Sequence, residues 1–159
     1  MAGSKTDSYE SSVLELVFHN VVGTALAGLG LGTDIQPTGT AGSVYVSLHT
    51  ADPGETGAHT GEVVVGAYAE YARIAVPRAL ASWTLTTPSP TKVANAAAVS
   101  YVQSTGPGSA NVTHFGINKT LAGTGVGEML YQGSLQSSLV VNVGVQPEFA
   151  IGALVVQES

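Results

Sequence analysis

The hydrophobic rhythm of the chain changes once along its length. Near the start, apolar residues fall at Leu14, Val17, Phe18, Val21 and Val22, the three-and-four spacing of one helical face. Asp7 and Glu10 stand ahead of them at capping-box spacing, and Gly23 follows as a candidate C-cap. The pattern predicts a helix over residues 8–22. The next stretch is rich in glycine and threonine, with Gly28-Leu-Gly-Leu-Gly32 and Pro37-Thr-Gly-Thr-Ala-Gly42, and reads as a flexible arm. A phosphate-binding loop would need Lys-Ser/Thr after its glycines, and none follows.

Beyond Gly42 the period drops to two. Val44-Tyr-Val-Ser-Leu-His49 alternates apolar and polar residues, and Asp52-Pro-Gly54 is a strong turn. Further strands are expected at 62–65, 69–76, 82–86, 96–102, 111–117, 128–135, 139–143 and 148–156. They are separated by Pro77, Pro88-Ser-Pro90, Gly106-Pro-Gly108, Gly123-Thr-Gly125 and Pro147. Short strands at near-regular spacing, without a second useful helix, predict an all-β antiparallel sandwich or jelly-roll-like domain over residues 43–159. Residues 1–42 then form a helix and a glycine-rich arm ahead of it.

Composition sharpens this picture. Charged residues are 10% of the chain and hydrophobic residues 44%, whereas soluble domains average about 25% charged. Such a chain sits in a membrane or covers surface in an assembly. No run approaches the ~20 apolar residues of a spanning helix, and the polar start from Met1 to Asp7 lacks a signal-peptide layout. The assembly reading is therefore expected. From Ala79 to Asn118 the only charge is Lys92, which makes this stretch a candidate for self-association. A net charge of −6 with scattered basic residues argues against nucleic acid as a partner. The absence of cysteine excludes disulfides, thiolate metal sites and thiol catalysis.

Candidate chemistry is thin. His49, Asp52, Glu55, His59 and Glu62 carry metal-binding groups, but their spacing fits no metal motif and a turn divides them. Ser47 and His49 share one face of a strand, with Asp52 nearby. No nucleophile elbow accompanies them, and the simpler reading is that they fix the turn through loop backbone. Glu70, Glu128 and Glu148 could supply a glycosidase pair only if the fold joined two of them. His114 reads as a strand histidine with a backbone partner, or as one member of an ion site on a symmetry axis. The expectation is no catalytic, cofactor or metal site. The turn residues are Ser47, His49, Asp52, Pro53 and Gly54. The candidate interface residues are Leu14, Phe18, Trp83, Tyr101, His114 and Phe115.

Val44-Tyr-Val-Ser-Leu-His-Thr-Ala-Asp-Pro-Gly-Glu-Thr-Gly57 resembles the opening segment of a family of small structural proteins from tailed phages and prophages. The family's order continues through Gly66-Ala-Tyr68, Tyr71-Ala-Arg-Ile-Ala-Val76, Val112-Thr-His-Phe-Gly-Ile117, Gly127-Glu-Met-Leu-Tyr-Gln-Gly133 and Val145-Gln-Pro-Glu-Phe-Ala-Ile-Gly-Ala-Leu154. The chain departs from it at Ala58-His-Thr-Gly-Glu-Val63, which is longer than usual, and in its longer N-terminal helix and arm.

The resemblance implies a virion component made in the bacterial host cytoplasm. With the low charge and the arm, it gives the expectation of a non-enzymatic capsid decoration (cement) protein on the outer capsid surface. Such a protein would assemble as a homotrimer and clamp the major capsid protein, with residues 1–42 as tether. It would use no cofactor, nucleic acid or membrane. A minor tail or tail-fibre component, meeting tail proteins instead, is the alternative. A virion-associated glycan-binding or hydrolytic protein is a third reading.

Overall fold

The computed structural model describes residues 5–27, 41–87 and 91–158. The glycine-rich arm over 28–40 and the Pro88–Pro90 turn lie outside them. The chain is mostly β, with antiparallel sheets and one short N-terminal helix. In chain order the elements are α1 (Asp7–Leu14), a π-helical turn (Glu15–His19), β1 (Ser43–His49), β2 (Ile74–Pro77), β3 (Trp83–Thr86), β4 (Lys92–Asn95), β5 (Val99–Ser100), β6 (Ala110–Asn118), β7 (Met129–Val141), β8 (Glu148–Phe149) and β9 (Val155–Gln157). They divide into two compact units, one of residues 1–43, 77–98 and 149–159 and the other of residues 44–76 and 99–148.

In the first unit the helix begins at Asp7, its predicted cap, and is capped one residue earlier. Thr6 is the N-cap, and its Oγ1 accepts from the Tyr9 amide at 3.3 Å. Asp7 instead opens the first turn, where its charge suits the positive end of the helix dipole. The predicted single helix over 8–22 widens into the π turn at Glu15 and stops at Asn20, left-handed with φ 57. Gly23 is therefore not the C-cap. Its role is steric: a Cβ there would lie 2.3 Å from Ser12 Oγ and from Glu15 Oε2. The free carbonyls of the π turn find a cation from far along the chain. Arg78 donates from Nε to Val17 O at 2.7 Å and from Nη2 to Leu16 O at 2.6 Å.

The core of this unit joins Leu14 and Phe18 to Trp83. The Phe18 and Trp83 rings meet edge to face with centroids 4.7 Å apart. Trp83 Nε1 donates to Pro77 O, and His19 Nε2–H donates to Trp83 O, both at 3.0 Å. The helix, expected to stand apart with the arm, thus belongs to the same unit as a three-stranded sheet ordered β3-β4-β9. Asn95, buried at the end of β4, accepts from Leu154 N and donates to Ala150 O, both at 2.9 Å. That side chain pins the 150–154 turn, which divides the strand predicted over 148–156 into β8 and β9.

The second unit holds a four-stranded sheet ordered β2-β1-β6-β7 and the short pair β5-β8. β1 and β6 run antiparallel with Ser47 opposite Gly116 and His49 opposite His114. One sheet face carries Val44, Val46 and Leu48 with Phe115 and Ile117, all buried. The predicted strands at 128–135 and 139–143 are two halves of β7. β6 pairs with both, and residues 135–138 bulge out where the register shifts between Val112 and His114. The segment predicted as a strand over 62–65 keeps one bridge, His49 to Glu62, before the chain turns at Val64.

Within residues 79–118, β3 is an edge strand of its sheet. β4 and β6, which fall in this stretch, are each paired on both edges.

Candidate functional site

The polar face of β1 and β6 is not a solvent face. Ser47, His49 and Asn118 are all fully buried. The sequence places Ser47 and His49 two apart on a strand, so both point the same way. Asn118 reaches them from β6, and Gly116 leaves them room: a Cβ there would stand 2.7 Å from Ser47 Oγ and 2.9 Å from Met129 Cε. The hydrogen bonds form one directed chain. Asn118 Nδ2 donates to Ser47 Oγ at 2.9 Å, Ser47 Oγ–H donates to His49 Nε2 at 2.8 Å, and His49 Nδ1–H donates to Thr60 O at 3.0 Å. The carbonyl acceptor fixes the tautomer. Burial pushes the imidazole below its ordinary range, partly opposed by the Thr60 carbonyl. A serine beside a neutral histidine is a nucleophile–base pair in outline, yet this one is closed off from solvent and spends its bonds on its own loop.

Beside this chain lies a second group around Arg73. Its guanidinium grips Glu62 in a fork, Nε to Oε1 at 2.8 Å and Nη2 to Oε2 at 2.7 Å. It also donates to Thr120 O and Gly123 O, both at 2.9 Å, and to His59 Nδ1 at 3.1 Å. Tyr71 OH donates to Glu62 Oε1 at 2.8 Å and accepts from Leu48 N at 3.1 Å. Burial works against the Glu62 carboxylate, but the Arg73 and Tyr71 hydrogen bonds prevail and hold it below the usual range. Burial, then the Arg73 charge, holds the His59 imidazole below its ordinary range, against the pull of Glu62 and Glu128. The Glu62 hydrogen bond raises Arg73, and burial drives the Tyr71 phenol far up. Arg73 thus ties the 59–62 loop to the 119–123 loop.

The suspected metal group is partly assembled. His49 and His59 stack with ring centroids 6.3 Å apart, and Glu62 lies beside them. Arg73 already engages both Glu62 and His59, and no metal-holding group of three or more acidic or histidine side chains exists among the described residues. Asp52 is used in its turn, accepting from Gly54 N at 2.8 Å, with Pro53 buried and Gly54 at φ +76. Glu55 meets Gln132.

The three suspected acids go separate ways. Glu70 accepts from Thr105, Glu128 from Thr120 and Lys119, and Glu148 from Ser100.

Of the candidate interface residues, five are interior. Leu14, Phe18 and Trp83 fill the core of the first unit, and Tyr101 and Phe115 that of the second. Large apolar side chains in a low-charge sequence signalled burial, and the chain itself supplies it. His114 is half-buried, with Nδ1 at 2.9 Å from Thr113 Oγ1. Sequence reading passed over Arg73, Tyr71 and Asn118 as site residues. Arg73 carried a usable signal, being one of only five basic residues and flanked by apolar ones.

Among the described residues no helix is long and apolar enough to cross a membrane. No curated protein matches the chain. A family model described as "Podophage GP4 fiber I protein gp80" matches residues 35–157. That span takes in all nine strands of the described residues, and the chain belongs to this family of phage virion structural proteins.

Proposed function

We propose that this chain is a non-enzymatic structural component of a podophage fibre, carried on the tail of the virion. The observation that carries the reading is the family match over residues 35–157. The geometry supports it: groups that could do chemistry are bound to one another inside the second unit, where they fix loops. A fibre component must hold one shape against load, and a satisfied buried network favours one arrangement of its loops. Its partners in this reading are further copies of itself and neighbouring tail proteins.

The second reading is a capsid decoration protein that clamps the major capsid protein. The 10% charge content supports it, because broad contacts with coat neighbours would cover neutral surface.

Deleting the coding sequence from the phage and adding the purified chain back separates the two. The fibre reading expects intact heads of normal heat stability, loss of fibre density and adsorption reduced by about tenfold or more, restored by add-back. Heads that rupture at lower temperature while adsorption is unchanged would replace it with the decoration reading.

A further inference from the structure

His59 stands where two loops of the second unit are tied together. Its side chain is 3% exposed. Nδ1 faces Arg73 Nη2, a donor, at 3.1 Å and shares that nitrogen's two hydrogens with Glu62 Oε2 and Gly123 O, while the buried Nε2 has no partner. Glu62 Oε2 lies 3.5 Å from Nδ1. The other charged or titratable groups facing it are His49 on β1, stacked at 6.3 Å, and Glu128, itself paired with Lys119.

We propose that His59 is an acid-operated latch: neutral, it helps Arg73 hold the 119–123 loop closed, and protonated, it takes Glu62 from Arg73 and lets that loop open. The step is one proton added to Nδ1. The nitrogen then has no lone pair for the Arg73 Nη2–H, and the new N–H has Glu62 Oε2 as its nearest acceptor. Imidazolium and guanidinium, about 3 Å apart, repel each other and compete for one carboxylate. Arg73 alone of the described side chains holds Thr120 O and Gly123 O, so a displaced guanidinium frees both carbonyls. Opening widens the surface groove lined by Thr60, Val64, Val65, Leu121 and Thr124. Val64 and Val65 are already more than 60% exposed there. Acid therefore loosens one wall of an already exposed aliphatic groove, at one defined place.

The direction follows from linkage. The folded chain holds both His59 and His49 below the ordinary imidazole range. On acidification the unfolded or opened chain takes up protons first. The stabilisation is complete above about pH 6.5 and is lost as pH falls.

Hydrogen exchange of the full chain tests this, corrected for intrinsic rates, between about pH 7.5 and about pH 5. The latch predicts that protection over residues 119–124 falls by about tenfold or more. The 150–154 turn, held by uncharged Asn95, keeps its protection. His59→Asn places an amide oxygen near the Nδ1 position without a titrating group, and its 119–124 loop should stay protected at both values. Equal loss in that variant, or no loss in the parent chain, overturns the latch. Should the variant fail to fold, imidazole nitrogen resonances of the parent chain decide. Loop opening must share its midpoint with His59, and a midpoint shared only with His49 overturns the proposal.

Discussion

In the unit built from the helix and strands β3, β4 and β9, buried and half-buried polar side chains act singly. Arg78 serves two carbonyls, Asn95 pins one turn and His19 meets one backbone oxygen. In the unit built on β2-β1-β6-β7, the polar interior is pooled. Asn118, Ser47 and His49 form one chain, and Tyr71, Glu62, Arg73 and His59 form another beside it. Single locks fail one at a time, and mostly without regard to pH. A pooled network is cooperative: removing one member leaves the others buried with unmet bonds. The first unit should therefore answer chiefly to lost packing, and the second to lost charge.

Trp83→Ala breaks the comparison on the packing side. It empties the centre of the first unit and removes the Phe18 contact, at a cost of about 4 kcal/mol. Denaturant unfolding should show that loss, with hydrogen exchange placing it in residues 7–19, 92–95 and 155–157.

Arg73→Met is the matching change in the second unit. It fills similar volume but strands Glu62, at a cost of about 3 kcal/mol at neutral pH. The deficit should shrink near pH 4, where the unpartnered carboxyl takes a proton. A deficit that is the same at both pH values would mean that Arg73 acts through packing.

Gly116→Ala sharpens the contrast further. It adds one methyl against Ser47 and Met129 and should cost about 2 kcal/mol. The His49 imidazole resonances should move with it, because the Ser47 bond is disturbed. Thr6→Ala, at the helix N-cap, should cost only about 0.5–1 kcal/mol and leave those resonances in place.

These differences were unequally legible in the sequence. β1, β3 and β6 carry alternating β-formers, and their observed limits fall within a residue of those expected. β4 was missed because Lys92-Val-Ala-Asn95 has one strong β-former. It is a strand through β3 on one side and β9 on the other, a tertiary cause. The Asp52-Pro53-Gly54 turn could be read from local chemistry alone. The Arg73 network could not, since its members come from residues 59–62, 71–73 and 119–123, and spacing along the chain says nothing of their convergence. Ser47 and His49 read from the sequence as a pair that bonds to loop backbone, and the His49 bond to Thr60 O is of that kind, but their complete burial was not foreseen. Their burial depends on Asn118 and Gly116, some seventy residues away. The family kinship was legible in part, as a virion structural protein, while the location within the particle was not written in any residue type.

The most direct test of the central claim is where the protein sits in the particle. A small epitope fused after Ser159, labelled with gold on intact virions, reads this in electron micrographs. A fibre component predicts gold confined to the tail and its appendages, a few particles per virion. Gold spread over the head surface would contradict the fibre assignment.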